Sequence, residues 1–324
     1  MDFLKVFFPV SGVDTYIFIP PLVAFVISFF TSMSGVSGAF LLLPFQMSVL
    51  NYSSPSVTST NLLFNIVAIP SGVYRYIKEK RMAWPLTWVV IAGTLPGVFI
   101  GYYIRVVYLP DPKAFKLFVG CVLLYISSRL LLDVAKKSLH QKTKLDVIDK
   151  KFSERVKQVK GQQSRGIASG IPSSAVVKTI SFNLTRTEYE FWGERFSFNT
   201  SAMFFLALFV GIIGGTYGIG GGSIIAPFCV TFFRLPIYTI AGAILMGTLL
   251  TSVSGVTFYS LIPLKGGLTT PPDWVLGLLF GAGGFLGMYL GARCQKFVPQ
   301  KFIKLLLGLL IIFVALKYIY QYVK

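Results

Sequence analysis

Acidic residues and histidine are scarce in this sequence. Asp and Glu together number 12 against 30 Lys and Arg, and the single histidine is His140. The long apolar stretches contain no His, Asp or Glu, so they cannot assemble a metal centre or an acid–base pair at membrane depth. This scarcity argues against an enzyme and against the usual carboxylate proton relay. We predict neither catalysis nor a cofactor.

Cysteine is also rare, with three residues in 324. Cys121, Cys229 and Cys294 are isolated from one another, and none has the close spacing of a metal site. We therefore expect them to be packing residues, and we predict no metal site.

What the sequence has in abundance is apolar residues in long runs. Hydrophobic residues make up 54% of the chain and the mean hydropathy is +0.70. Runs of this length and composition predict a polytopic helical membrane protein in a lipid bilayer. The net charge of +18 comes from basic residues in the connections and at the helix ends. Basic residues at these positions orient a membrane protein and contact lipid headgroups, so we predict no nucleic-acid partner.

The apolar runs divide the chain into three parts. We predict a first membrane repeat at residues 1–132, a basic connection at residues 133–198 and a second membrane repeat at residues 199–324. The predicted segments of the first repeat are residues 16–33, 39–50, 55–77, 86–104 and 114–132.

A glycine-rich stretch interrupts an apolar run of the second repeat. Residues 218–227 read Gly-Ile-Gly-Gly-Gly-Ser-Ile-Ile-Ala-Pro. Each glycine inside a helix costs about 1 kcal/mol relative to alanine. Non-helical backbone at membrane depth must also be shielded by protein or line a cavity. We therefore predict a deliberate break in a membrane helix, at a place where a ligand binds.

The same pattern occurs earlier in the chain at a constant spacing, which indicates a tandem duplication. A difference of 183 in residue number pairs Gly35 with Gly218, Gly38 with Gly221, Pro44 with Pro227 and Gly72 with Gly255. A few inserted residues later, a difference of 186 pairs Trp88 with Trp274, Gly97 with Gly283 and Gly101 with Gly287. We expect glycines 72, 97, 101, 255, 283 and 287 to be close contacts between helices.

The distribution of basic residues predicts that the two repeats are inverted. Residues 78–81, the central connection and residues 293–304 are the most basic connections, and basic loops favour the cytoplasm. They can lie on one side only if each repeat crosses the membrane an odd number of times. The predicted fold is therefore all-α, with two inverted repeats. Each repeat is a Gly-broken helical hairpin plus three transmembrane helices, and both termini lie outside.

The central connection has two kinds of sequence. Residues 139–159 show helical spacing of apolar residues among lysines, which fits an amphipathic helix at the inner membrane surface or a solvated linker. Residues 175–198 alternate apolar and polar residues, which predicts one or two short strands. We expect a mixed cytoplasmic insertion, which leaves a cytosolic partner open.

Helix breaks and small polar residues are the candidates for binding. A broken helix presents free N–H groups and the positive end of its dipole, which suits an anion. Such breaks at corresponding positions of inverted repeats indicate a transporter site near the midplane. The predicted substrate-binding residues lie in the first break, the next helix, the second break and its following helix: Ser34, Gly35, Ser37, Gly38, Asn61, Asn65, Gly218, Gly220, Gly221, Gly222, Ser223, Thr248, Thr251 and Ser252.

This pattern resembles the sulfite exporter TauE/SafE family of membrane anion permeases. The resemblance is carried by residues 218–227, by their weaker copy at residues 35–44, and by residues 243–255, which read Ala-Ile-Leu-Met-Gly-Thr-Leu-Leu-Thr-Ser-Val-Ser-Gly. It implies transport of sulfite, thiosulfate or organosulfonate anions. Two departures are the loss of most glycines from the first copy and a central connection longer than the short linker expected.

Three hypotheses follow for the function. The first is a secondary transporter of a small sulfur-containing anion in the bacterial inner membrane. The second is an anion channel that uses the same breaks as a filter. The third is a membrane scaffold that recruits a cytosolic partner through the central insertion. The sequence leaves the anion, the direction of transport, the coupling ion and the oligomeric state open.

Overall fold

The computed structural model describes residues 4–33, 36–78, 80–136, 154, 176–263, 270–294 and 300–323. Its first half opens with a short antiparallel hairpin, β1 (Lys5–Phe8) and β2 (Val13–Tyr16), in which Lys5 pairs with Tyr16. Six helices follow: α1 (Ile19–Met33), α2 (Ala39–Ser48), α3 (Ser56–Ala68), α4 (Pro70–Lys78), α5 (Trp84–Val107) and α6 (Pro112–Lys136).

The second half opens with a three-stranded sheet and continues with five helices. The strands are β3 (Val177–Phe182), β4 (Arg186–Phe191) and β5 (Glu194–Asn199), in the order β3-β4-β5 and all antiparallel. The helices are α7 (Thr200–Tyr217), α8 (Gly222–Thr231), α9 (Ile237–Leu261), α10 (Trp274–Cys294) and α11 (Gln300–Val323).

Four of the described helices are long and apolar enough to cross a bilayer: Trp84–Val107, Thr200–Tyr217, Thr239–Leu261 and Trp274–Gly291. Shorter apolar helices cover Ile19–Ser32, Ala39–Ser48 and Ile311–Tyr322. Large hydrophobic side chains such as Phe205 and Phe209 of α7 are more than half exposed, as expected for a surface that contacts lipid. The prediction of a polytopic helical membrane protein is confirmed.

The segment predicted at residues 55–77 is two helices rather than one. Helix α3 ends at Ala68 with Ile69 as its C-cap, and α4 begins at Pro70. Proline has no backbone N–H to continue the helical hydrogen bonds, which explains the interruption. The corresponding segment of the second half has Val253 in place of Pro70, and there α9 is continuous over 25 residues.

Helices of one half pack on helices of the other in matching pairs. Helix α5 packs on α7, α1 packs on α10, and α6 packs on α11. In the first pair, a β-carbon added at Gly93, Gly97 or Gly101 would meet the carbonyl oxygens of Phe204, Leu208 and Ile212 in turn. In the second, Gly283, Gly287 and Gly291 face the carbonyl oxygens of Pro21, Phe25 and Phe29 in the same way.

These contacts correct the alignment of the two repeats in this region. The carbonyl residues of the two pairs differ by 183, so the facing glycines Gly93 and Gly283 are equivalent and differ by 190. The first residues of α5 and α10, Trp84 and Trp274, differ by the same number. Sequence matching at a difference of 186 was therefore wrong by four residues, about one helical turn. The predicted role of Gly97, Gly101, Gly283 and Gly287 as close contacts between helices is confirmed.

Helices α3 and α4 of the first half meet α9 of the second half in antiparallel contact. A β-carbon at Gly72 would lie 3.3 Å from Leu245 Cδ1, and one at Gly255 would lie 2.6 Å from Leu62 Cδ1. Both residues of the first contact are 183 positions from their counterparts in the second. The two contacts are therefore equivalent, with the roles of the halves exchanged.

The N-terminal hairpin was not predicted from the sequence. It is held at the start of α10 by Asp273, whose Oδ2 accepts hydrogen bonds from Ser11 N at 3.2 Å and Ser11 Oγ at 2.8 Å. The other carboxylate oxygen accepts from Leu276 N at 3.1 Å and so caps α10. The carboxylate is 3% exposed and has a structural role at the end of a helix.

The described part of the central connection contains three strands where one or two were predicted. The sheet is held against the membrane helices by Tyr189, whose hydroxyl lies 2.9 Å from Thr239 Oγ1. Burial raises the pKa of the Tyr189 hydroxyl well above its usual value, so this residue stays neutral. Of the predicted amphipathic helix, all but residue 154 lies outside the described residues.

Candidate functional site

Both predicted breaks are found between a membrane helix and a short half-helix. In the second half, α7 ends at Tyr217 with Gly218 as its C-cap, and α8 begins at Gly222 with Gly221 as its N-cap. Gly218, Gly220 and Gly221 have φ angles of +87°, +68° and +77°, which side-chain-bearing residues rarely adopt. In the first half the corresponding half-helix, α2, has Gly38 as its N-cap. The two N-caps are 183 positions apart, and neither supplies a side-chain cap.

The glycines of the second break are also required by space. A β-carbon at Gly218 would lie 2.7 Å from the carbonyl oxygen of Thr58 on α3. One at Gly220 would lie 2.8 Å from Thr248 Cγ2 and 2.9 Å from Ser252 Oγ, both on α9. The break is therefore packed against helices from both halves.

Asn61 of α3 joins the two breaks directly. Its Nδ2 donates hydrogen bonds to Ala39 O at the first break and to Gly218 O at the second, each at 2.9 Å. Its Oδ1 accepts from Gln46 Nε2 of α2 at 3.3 Å. Asn61 is fully buried, so this amide replaces the water that the two carbonyls would otherwise need.

Asn65 lies one turn further along α3, on the same face. Its Oδ1 accepts a hydrogen bond of 2.5 Å from Ser37 Oγ of the first break. Its Nδ2 donates to Ser252 Oγ of α9 at 3.3 Å. Ser37 Oγ in turn accepts from Ala39 N at 3.3 Å, at the start of α2. Asn65 thus connects the first break to a serine that contacts the second.

The two predicted site threonines of α9 have different positions. Thr251 Oγ1 donates to Gly220 O at 3.0 Å and also approaches carbonyl oxygens of its own helix. The Thr248 hydroxyl donates to Ile244 O at 2.9 Å within α9, and its methyl group faces Gly220. Thr251 therefore supports the break directly, whereas Thr248 contributes packing.

Most of the predicted site residues come together around this network. The structure joins Ser37, Asn61, Asn65, Gly218, Gly220, Thr251 and Ser252 by hydrogen bonds, and it places Gly38 and Gly221 at the ends of the two half-helices. Gly222 is the first residue of α8. Ser34, Gly35 and the side chain of Ser223 lie outside the described part of the chain.

Sequence reasoning missed two buried polar residues at the breaks. Gln46 of α2 contacts Asn61, and its Oε1 has no hydrogen-bond partner among the described residues. The Tyr217 hydroxyl donates to Phe40 O of α2 at 2.7 Å and links the two halves. Gln46 could have been identified from the sequence, because burying its side-chain amide in an apolar segment without a partner is as costly as burying that of Asn61. The tyrosine carried no such signal.

The two breaks differ in a way that explains the weaker first copy of the motif. Gly38 packs against α1, where a β-carbon would lie 3.1 Å from Ser28 Oγ and 3.4 Å from Thr31 Oγ1. The position equivalent to Thr31 is Gly214, which packs on the backbone of Gly221. At the first break, side-chain hydroxyl groups of α1 thus occupy the place that close backbone contacts between glycines have at the second break.

A cluster of hydroxyl groups surrounds the start of α3, beyond the network. The Tyr52 hydroxyl lies 2.9 Å from both Ser56 Oγ and Thr60 Oγ1, and Asp273 N donates to Thr60 Oγ1 at 2.9 Å. Burial raises the pKa of Tyr52 to about 12, so the phenol remains a neutral hydrogen-bonding group. This cluster attaches α3 to the start of α10.

Comparisons with known proteins identify a family and a bacterial relative. The family model described as Sulfite exporter TauE/SafE matches residues 21–318. The "Probable membrane transporter protein YunE" of Bacillus subtilis (strain 168) is 21% identical over 299 residues, which cover 90% of this chain and 92% of the relative. No solved structure matches the chain.

The apolar helices, the family match and the named relative together define the class of this protein as a membrane transporter. The family match covers most of the sequence, and the chain belongs to the sulfite exporter TauE/SafE family. The resemblance inferred from residues 218–227 and their copy is confirmed.

Proposed function

We propose that this transporter binds a small sulfur-containing anion, such as sulfite, thiosulfate or an organosulfonate, between the two helix breaks. The observation that carries the proposal is the position of Asn65, which lies between Ser37 of the first break and Ser252 beside the second. The family description supports the sulfur chemistry of the substrate. The name of the Bacillus relative adds only that it is a probable membrane transporter.

Hydroxyl, amide and backbone donors would bind the anion. Each half-helix N-terminus contributes about 0.3–1 kcal/mol through its dipole, whereas desolvating an ion costs several kcal/mol. Hydrogen bonds to a charged group contribute about 1.5–3 kcal/mol each, so two or three side-chain donors must assist. Ser252 fits this role because its oxygen accepts from Asn65 while its hydrogen has no acceptor among the described residues.

We further propose that the two halves are inverted repeats. Equivalent helices that contact each other in antiparallel orientation are related by a two-fold axis perpendicular to their length. The exchanged contacts of Gly72 with Leu245 and of Gly255 with Leu62 support such an axis. In this arrangement the network lies near the bilayer midplane, and movement of one half against the other would expose it alternately to each side.

The remaining assignments are proposals of the same kind. The basic connections at residues 78–81 and 133–198 would face the cytoplasm of a bacterial cell, with the transporter in the inner membrane. The sheet of β3, β4 and β5 would then lie on the cytoplasmic side and leave a surface for a cytosolic partner.

A direct binding screen tests the substrate class. Purified protein in detergent is titrated calorimetrically with sulfite, thiosulfate, sulfoacetate, taurine and sulfate in chloride-free buffer. We expect saturable binding of at least one sulfur anion and at least tenfold weaker binding of that anion by Asn65→Leu. Binding of none of these anions by the wild-type protein would reject the proposal.

A further inference from the structure

We propose that Arg105 forms a second anion-contact point at the start of α3, next to the central network, which is the set of hydrogen bonds made by Asn61 and Asn65 between the two breaks. This inference rests on the proposed function, since it assigns a further residue to the path of the same anion. Arg105 lies in the last turn of α5 and is fully buried, one of the largest fully buried side chains in the described part of the chain. The predicted segment at residues 86–104 ended just before Arg105, so sequence reasoning placed this residue in the connection to the next helix.

The guanidinium group of Arg105 is held on three sides. Its Nε donates to Thr58 Oγ1 at 3.2 Å, and its Nη1 donates to Leu109 O. The guanidinium carbon lies 3.7 Å from the centre of the Phe115 ring, which is a cation–π contact. The third nitrogen, Nη2, is buried and has no hydrogen-bond partner among the described residues.

No carboxylate compensates this charge within the described residues. The ion pairs of Lys5 with Asp14 and of Arg186 with Glu188 do not involve Arg105. Asp111, the acidic residue nearest in sequence, accepts from Ala114 N at 2.8 Å and caps α6 instead. A buried charge without a counter-ion carries a desolvation cost of several kcal/mol. An anion at Nη2 would supply both the missing counter-ion and the missing acceptor.

Thr58 connects Arg105 to the central network. Thr58 precedes Asn61 and Asn65 on α3 by three and seven residues, so the three side chains follow one face of the helix. Its carbonyl oxygen also packs against Gly218 at the second break. The face of α3 therefore leads from the guanidinium group to the amides that join the breaks.

A purely structural role explains only part of this arrangement. Capping the carbonyl of Leu109 and packing on Phe115 account for Nη1 and for the ring contact. These two contacts do not require a full positive charge, and they do not explain why Nη2 is buried without a hydrogen-bond partner. At the equivalent position of the second half, 190 residues later, the sequence has Gln295, so the repeat itself does not demand an arginine.

The chemistry of the group defines its ligand. A guanidinium presents parallel N–H donors that match two oxygens of one oxyanion. Sulfite and the sulfonate group share this oxygen geometry, so both are suitable probes. Arg105 would place a positive charge at only one end of the α3 face formed by Thr58, Asn61 and Asn65. The path of the anion along this face would therefore be asymmetric.

Arg105→Gln tests the inference, since glutamine is the residue that the chain carries at the equivalent position. Arg105→Lys keeps the charge and loses the parallel donors. Arg129→Gln is the control, because Arg129 Nη2 is also unpartnered and its guanidinium lies 5.6 Å from the Phe232 ring, but Arg129 belongs to α6 and is partly exposed. Uptake of labelled sulfite and methanesulfonate is measured in proteoliposomes that contain equal amounts of monodisperse protein.

We expect the KM of Arg105→Gln to rise at least tenfold, that of Arg105→Lys to rise less, and that of Arg129→Gln to change less than twofold. A structural defect would lower the maximal rate and leave the KM unchanged. Wild-type KM values in Arg105→Gln overturn the inference. If Arg105→Gln cannot be purified folded, a wild-type KM in Arg105→Lys overturns it. Absence of uptake by the wild-type protein instead overturns the proposed function, and this inference with it.

Discussion

The side-chain amide of Asn61 donates to the carbonyl oxygen of Gly218 at 2.9 Å, although the two residues are 157 positions apart. The same nitrogen donates to Ala39 O, so one amide joins a half-helix of the first repeat to the helix break of the second. Neither break is complete without the other half of the chain. Mutations at these residues should therefore affect both stability and transport.

Replacing Asn61 by leucine should destabilise the protein strongly. The change leaves the buried carbonyls of Ala39 and Gly218 without a donor, and each unsatisfied group costs about 1–3 kcal/mol. We expect a loss of about 2–5 kcal/mol, measured by reversible unfolding in mixed micelles. Thr257→Val on the exposed face of α9 is the control, with an expected change below about 0.5 kcal/mol. Equal stability of the two variants would contradict the bridging role.

Alanine at Gly220 should reduce transport, while alanine at Gly12 should not. Both glycines have φ of +68°, so both substitutions carry similar backbone strain of about 1–2 kcal/mol. A β-carbon at Gly12, in the β1–β2 turn, has no atom within 4 Å, whereas one at Gly220 meets Thr248 and Ser252. Uptake rates of the two variants are compared at equal protein amounts. Because the backbone strain is similar in both, a lower rate in Gly220→Ala alone reports displacement of Thr248 and Ser252. Equal rates in the two variants would show that the geometry of the break is not limiting.

Close packing of α1 on α10 should make Gly283→Ala more harmful than Gly72→Ala. A β-carbon at Gly283 would overlap the backbone of Pro21, which can move only if the helices separate. At Gly72 the nearest atom is the end of the flexible Leu245 side chain, at 3.3 Å. We expect Gly283→Ala to cost about 1–3 kcal/mol in the same unfolding measurement and Gly72→Ala to be near neutral. The reverse order would refute the packing argument.

The inverted arrangement predicts which residues face each side of the membrane. In a cysteine-free background, Asp14→Cys in the hairpin should react with an impermeant maleimide added outside intact cells. Leu184→Cys, in the β3–β4 turn with its side chain 86% exposed, should react only after the cells are opened. Labelling of both positions from the same side would exclude the proposed topology.

The sequence was sufficient to predict the parts of the fold that depend on backbone and on the cost of burial. Gly218, Gly220 and Gly221 were recognised because glycines are unfavourable in a helix, and their positive φ angles explain why they occur there. Asn61 and Asn65 were identified because an amide in an apolar helix needs partners, and the structure shows those partners.

Other features depended on tertiary contacts that a linear pattern does not contain. The spacing of glycines could not distinguish a register of 186 from one of 190, because both place small residues on one face of the helix. Pro70 lay inside an apolar segment that looked continuous, and the N-terminal strands are only four residues long. Arg105 was missed because a basic residue at a helix end is usually solvated, and its burial depends on Phe115 of the next helix.

Uptake of labelled sulfite by reconstituted protein tests the central claim most directly. Wild-type protein, Asn65→Leu and the Thr257→Val control are compared in proteoliposomes, with unlabelled thiosulfate and methanesulfonate as competitors. The proposal predicts saturable uptake by the wild-type protein and the control that a competing sulfur anion reduces, and at least tenfold lower uptake by Asn65→Leu. Undiminished uptake by folded Asn65→Leu would contradict the central site, and absence of uptake by the wild-type protein would contradict transport of sulfite.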